Sequence, residues 1–136
     1  MSKSNQELIK EVTATCNLFW EELSKVYKIG SIPAIHFNNN KSNIAGYAYR
    51  WEKRVEFNLR FAEEQDFETT IMHELAHIVQ YKVYPFAKQA HGPEFKSIMK
   101  TMGFSDRTYH SYNVKEAKSK KLEKLLLIDN ISADEL

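Results

Sequence analysis

Cysteine is nearly absent: Cys16 is the only one in 136 residues. An internal disulfide is therefore impossible, and so is any finger or ribbon that holds zinc through cysteines. No sign of charge dominates, with 19 Lys plus Arg against 18 Asp plus Glu and a net charge of +1. A bulk electrostatic grip on nucleic acid is not indicated, and any basic site has to be local. Long apolar runs are missing too. The longest, residues 125–128, falls far short of the ~20 residues a membrane span requires. Residues 1–10 hold no apolar stretch like that of a signal peptide. What is present is a core: hydrophobic residues make up 43% and aromatics 12%, too many for a disordered chain. A chain of this length buries roughly two-thirds of its unfolded surface. The expectation is a soluble, intracellular, single-domain protein with no internal repeat and no membrane association; its oligomeric state is not legible.

Ser4 and Glu7 have the spacing of a capping box, in which each side chain satisfies the other's backbone donor. Leu8, Val12, Cys16, Phe19, Leu23 and Val26 follow at steps of three or four, which predicts a long helix ending near Gly30. Residues 32–37 carry Pro33 and read as an edge strand. Residues 44–50, rich in tyrosine, read as a second strand. Val55, Phe57 and Leu59 alternate with polar residues and predict a half-buried third strand after a tight turn at 51–54. The three strands are expected to form a small antiparallel sheet. Phe67, Ile71, Leu75, Ile78 and Val79 predict a helix over 66–82, stopped by Pro85. Residues 86–90 read as a loop. Pro93 opens a further helix whose stripe is Phe95, Ile98, Met99 and Met102, with Gly103 as its stop. Residues 105–112 are aromatic-rich and irregular, 114–127 have the pattern of a fourth helix, and 131–136 read as a frayed tail.

The chemistry-bearing pattern is His73-Glu74-Leu75-Ala76-His77, inside the helix over 66–82. Residues i and i+4 stand one turn apart on one face, so both imidazoles can reach one metal ion. Zinc suits imidazole and accepts a tetrahedral site with one open position. It lowers the pKa of a bound water to about 7, and Glu74, one residue round the helix, is placed to act as general base and pass the proton to a leaving amine. The apolar stripe centred on Leu75 leaves both histidines on the rim between core and surface. A third ligand is needed. Cys16 lies in the first helix's core stripe. Of the remaining histidines, His91 is the best candidate, because it precedes Gly92-Pro93 at the start of a helix. Glu94 is its rival.

These residues, His73-Glu74-Leu75-Ala76-His77 followed by His91-Gly92-Pro93-Glu94-Phe95, resemble the SprT-like zinc metallopeptidases, which include Spartan. The family pattern is a His-Glu-x-x-His helix and then a His-Gly-x-x-Phe (or Trp) segment opening the next helix. The strand at 55–59 and the segment Arg107-Thr108-Tyr109-His110 also look like the family, and the resemblance covers roughly residues 18–113. It implies a zincin-like core at 1–113, with His73, His77 and His91 as Zn2+ ligands, Glu74 as general base and Phe95 packing behind the loop. Many members carry a cysteine-based zinc ribbon or another DNA-binding module after this core. Residues 114–136, a C-terminal helix and tail, hold no cysteine and no second histidine cluster. Members of the Spartan kind cleave proteins crosslinked to DNA, which implies a cytoplasmic or nucleoid-associated setting.

Other signals are weaker. Lys115, Lys118, Lys120, Lys121 and Lys124 read first as the solvated face of an amphipathic helix and second as a contact to DNA phosphates. Tyr109, His110, Tyr112 and Tyr81 are candidates for stabilising an oxyanion beside the metal, although each is more often a packing or surface residue. Tyr47, Tyr49 and Trp51 read first as cross-strand pairs and second as a stacking surface for single-stranded bases. His36 reads as structural. The strand at 55–59 suggests a mechanism in which an extended substrate pairs along a sheet edge, giving broad specificity.

The sequence thus predicts an α+β fold with a long N-terminal helix, a small three-stranded sheet, the metal helix and following helices. The leading function is a zinc-dependent endopeptidase acting on protein or peptide substrates. The alternatives are a non-proteolytic, zinc-stabilised adaptor associated with nucleic-acid machinery, and zinc-dependent hydrolysis of a non-peptide bond.

Overall fold

The computed structural model describes residues 3–105. In chain order these form α1 (Asn5–Ser24), β1 (Ala34–Asn38), β2 (Gly46–Tyr49), β3 (Arg54–Asn58), α2 (Phe67–Val83) and α3 (Pro93–Thr101), with short 3-10 turns at Arg50–Glu52 and Leu59–Phe61. The fold is α+β. The fourth helix expected at 114–127, the tail at 131–136 and the domain boundary after 113 lie outside the described residues, as does most of the irregular segment at 105–112.

The capping box forms: Glu7 N–H donates to Ser4 Oγ at 3.1 Å, and Ser4 N–H donates to the Glu7 carboxylate at 2.9 Å. α1 buries Leu8, Val12, Cys16, Trp20 and Leu23. Burial pushes the Cys16 thiol up to about 12, so it is an inert core group. α1 ends at Ser24, earlier than Gly30, and Val26 beyond it is 58% exposed. The reason is the Trp20 indole, which donates to the Gly30 carbonyl at 2.9 Å. That bond folds the segment back beside the helix, and Gly30 takes a left-handed φ of 72°, which glycine adopts without a side-chain clash.

The sheet is mixed, not antiparallel. Its order is β1-β3-β2, with β1 parallel and β2 antiparallel to β3. β2 and β3 form a hairpin through the turn at Arg50–Glu52 and a left-handed Lys53. β1 reaches β3 from the other side, by a connection that includes β2. Side chains hold that connection: Asn58 donates to Asn40 Oδ1 at 3.0 Å and Arg60 to the Ser42 carbonyl at 2.8 Å. Period-two patterning says which face of a strand is buried, but not which strand lies beside which. The strand at 55–59 is in the middle, with both backbone edges paired, so it cannot receive a substrate strand. The edges are β1, as expected from Pro33, and β2.

α2 matches its expected span to within one residue but differs in setting. Every residue from Thr70 to Gln80 is buried, including His73 at 1% and His77 at 0% exposure. The histidines are therefore not on a rim. α1, β2, β3 and α3 all pack on this helix, so its polar face is covered as fully as its apolar one. α3 begins at Pro93, as its fixed φ favours, and buries Phe95, Ile98 and Met99.

Phe57 lies where sheet and helix meet, fully buried, with its ring edge-on to Phe67 at 5.9 Å and tilted against Phe37 at 6.4 Å. Phe57→Ala is expected to cost about 3–5 kcal/mol in urea unfolding, whereas Phe86→Ala, at a residue 93% exposed, should change stability by less than about 0.5 kcal/mol.

Candidate metal centre

His73 and His77 project from α2 one turn apart, and His91 arrives from the loop before α3. His73 Nε2 lies 3.1 Å from His77 Nε2 and 3.3 Å from His91 Nε2. One ligand atom from each ring falls within 4.8 Å of the others. Four donors placed tetrahedrally at zinc–nitrogen distances of about 2.0–2.1 Å are separated by about 3.3–3.4 Å. The donor set therefore fits one small divalent cation. Glu94 is half-buried on α3 and outside this cluster, the only group of its kind among the described residues.

Phe95 is the floor of the site. It is fully buried, stacks on His77 at 4.4 Å, and meets His73 and His91 edge-on at 5.0 Å each. One ring thus limits the rotation of all three imidazoles. Glu74, on the turn between the two helical histidines, is itself 0% exposed.

Two positioning residues escaped the sequence reading. Gly46 opens β2 directly against Glu74. A Cβ there would come within 3.0 Å of Glu74 Cγ and of Thr70 Cγ2, and 3.3 Å of Glu74 Oε2. Glycine inside a strand often marks such a close approach, and that was the available signal. Gln80, 4% exposed, donates through Nε2 to the Gln89 carbonyl at 3.0 Å. It ties the end of α2 to the loop carrying His91. A polar residue one turn beyond His77 was its only trace in the sequence.

The remaining candidates scatter. His36 is exposed on β1. Tyr81 is 44% exposed, and its ring pairs with Trp51 at 6.2 Å, outside the histidine cluster. Tyr47 and Tyr49 pack edge-on at 4.6 Å, and Arg54 lies 3.7 Å over the Tyr49 ring. Burial first, and then the Glu56 charge, raises the Tyr49 hydroxyl above its ordinary value. Trp51 is 61% exposed. Tyr109, His110, Tyr112 and the lysines Lys115, Lys118, Lys120, Lys121 and Lys124 lie outside the described residues. No helix among the described residues is long and apolar enough to cross a membrane.

If the cluster holds a metal ion, His91→Ala should weaken binding by at least about 100-fold, more than the ~10–100-fold that loss of an outer partner costs. Glu94→Gln should leave it unchanged. Competition with a chromogenic chelator reads both.

The SprT-like family matches residues 16–118. The chain is 33% identical over 96 residues to Protein SprT of Vibrio parahaemolyticus serotype O3:K6 (strain RIMD 2210633), covering 68% of this chain and 57% of that one. It is also 33% identical over 98 residues to Protein SprT of Pseudomonas putida (strain GB-1), covering 69% and 57%. The chain thus spans 57% of the length of these curated relatives. No solved structure matches it. With the matched region enclosing the histidine cluster, Gly46 and Phe95, the chain belongs to the SprT-like family.

Proposed function

We propose that this chain is a zinc-dependent endopeptidase, with His73, His77 and His91 as ligands and Glu74 as general base. The observation that carries the reading is the convergence of three imidazole nitrogens beside a buried glutamate on the same helix. Neutral nitrogen ligands at tetrahedral spacing favour zinc over the oxygen-seeking Mg2+ or Ca2+. Zinc held there supplies Lewis acidity, polarising a substrate carbonyl and bringing the pKa of water to about 7. Glu74 accepts the proton released by the attacking water and returns it to the leaving amine. Burial of its carboxylate keeps bulk water from competing for that proton.

The sheet supports one orientation for the substrate. β3 is paired on both sides, whereas β2 is an edge whose first residue lies against Glu74. An extended chain pairing along β2 would present its backbone to the metal with little dependence on sequence. The resemblance alone extends the proposal to DNA-associated proteins as substrates, and to a cytoplasmic or nucleoid-associated setting.

Glu74→Gln should retain zinc and lose proteolysis by at least about 100-fold. The assay is digestion of a DNA-binding protein and of an unfolded one, each with and without single-stranded DNA. Equal cleavage by the variant would overturn Glu74 as the base, and no cleavage by either chain in any condition would instead support a non-proteolytic role. Gly46→Ala should also retain zinc, since the atoms nearest the added Cβ belong to Glu74 and Thr70, but lower kcat by at least about tenfold through displacement of the Glu74 carboxylate. Zinc stoichiometry measured beside kcat separates that effect from simple unfolding.

A further inference from the structure

A cavity of about 570 Å³ opens beside His91, bounded by Arg50 after β2, by Gln80, Tyr81 and Tyr84 at the end of α2, and by Lys88 in the next loop. Among the described residues, its lining has two cations and no acidic residue. Arg50 is half-buried, with its guanidinium 5.2 Å from the Trp51 ring centre and 5.8 Å from that of Tyr81. The nearby carboxylates are committed elsewhere: Glu52 and Glu56 both pair with Arg54, at 2.7 and 3.5 Å. Neither Arg50 nor Lys88 has an ion-pair partner among the described residues. A half-buried guanidinium packed beside two rings keeps its planar fork of donors oriented, which suits it to a carboxylate.

Position gives this charge a use. His91 belongs both to the cavity and to the histidine cluster. β2 starts against Glu74 and ends at Tyr49, next to Arg50. Gly46 to Arg50 spans about 13 Å at ~3.3 Å per strand residue, and Glu74 to Tyr81 about 10 Å at 1.5 Å per helical residue. An extended chain lying along β2 with one bond at Glu74 therefore brings a side chain about three or four residues away to the cavity mouth.

We infer that this cavity is a substrate subsite for a carboxylate, either an Asp or Glu side chain or a chain terminus of the polypeptide being cleaved. The inference rests on the peptidase reading. It adds a preference at one position to a backbone grip that is otherwise indifferent to sequence.

The experiment uses the full zinc-loaded chain and peptides identical except for Glu, Gln or Lys at each of the positions two to four residues either side of the cleaved bond. One further pair carries a free or amidated C-terminus. At one position, Glu should exceed Lys by about tenfold in kcat/KM, as a charge-assisted pair provides, with the difference in KM. Arg50→Glu together with Lys88→Glu should invert the preference. If that reversal lowers the melting midpoint, Arg50→Gln with Lys88→Gln should bring the ratio close to one. Binding of the same labelled peptides to the zinc-loaded Glu74→Gln chain, read by fluorescence anisotropy, separates the two readings. Tighter binding of acidic peptides, reversed by the charge swap but with no cleavage by any chain, would support the subsite and overturn the peptidase. Cleavage without a charge preference, or with one that the swap leaves unmoved, would overturn the subsite. Charge-indifferent peptide binding alongside swap-sensitive binding of oligothymidylate would overturn it in favour of nucleic-acid phosphates.

Discussion

Three imidazole nitrogens have to meet at one point inside the core, and most of the fold can be derived from that requirement. Two of them need only helix geometry, since residues four apart share a face. The third needs a loop to leave α2, turn back and stop within hydrogen-bonding distance of His73. Gln80 fixes the loop at the Gln89 carbonyl, and Pro93 starts α3 immediately after His91 and Gly92. Phe95, one turn into α3, then closes against all three rings. Burying such polar groups costs several kcal/mol where they are not satisfied. The layers of α1, sheet and α3 therefore enclose a polar cluster beside the apolar residues of α2.

The sheet meets the same requirement from the other side. β3 supplies the fully buried Val55 and Phe57, and it takes the middle position because a central strand is covered on both edges. That places β2 at the edge over α2, where a side chain on its first residue would collide with Glu74. Mixed pairing is how a short chain reaches this arrangement. The hairpin puts β2 beside β3 at once, and β1 takes the edge that is left.

Local rules were legible wherever local physics decides. The Ser4–Glu7 box, the inward Val55 and Phe57, the proline start of α3 and the i,i+4 histidines each needed only neighbours in sequence, and each is present; the alternation stops there, since Asn58 is buried and Leu59 lies in the 3-10 turn after β3. The strand order was not legible, because the pattern that buries Val55 and Phe57 is equally satisfied by an antiparallel meander. The end of α1 was misjudged because the Trp20 indole bond to Gly30 is a tertiary choice. The burial of α2 was missed because a polar face was equated with a wet one. Gly46 and Gln80 act through residues distant in sequence, so their types hinted at a constraint without naming the partner.

That equation of polar with exposed fails for a physical reason. His73, Glu74 and His77 lie on the covered side of α2, and His73 Nε2 is 3.1 Å from His77 Nε2 and 3.3 Å from His91 Nε2. Nitrogens at these separations can share a proton pairwise, but only a single cation serves all three together. An ion bound by the folded chain and not by the unfolded one stabilises the fold by mass action, about 2.7 kcal/mol at a concentration 100 times the dissociation constant. Domains of this size are stable by only about 5–15 kcal/mol in total, so such an ion would supply a substantial share. The same residues that would perform the chemistry would then help hold α1, the sheet and α3 in place around it.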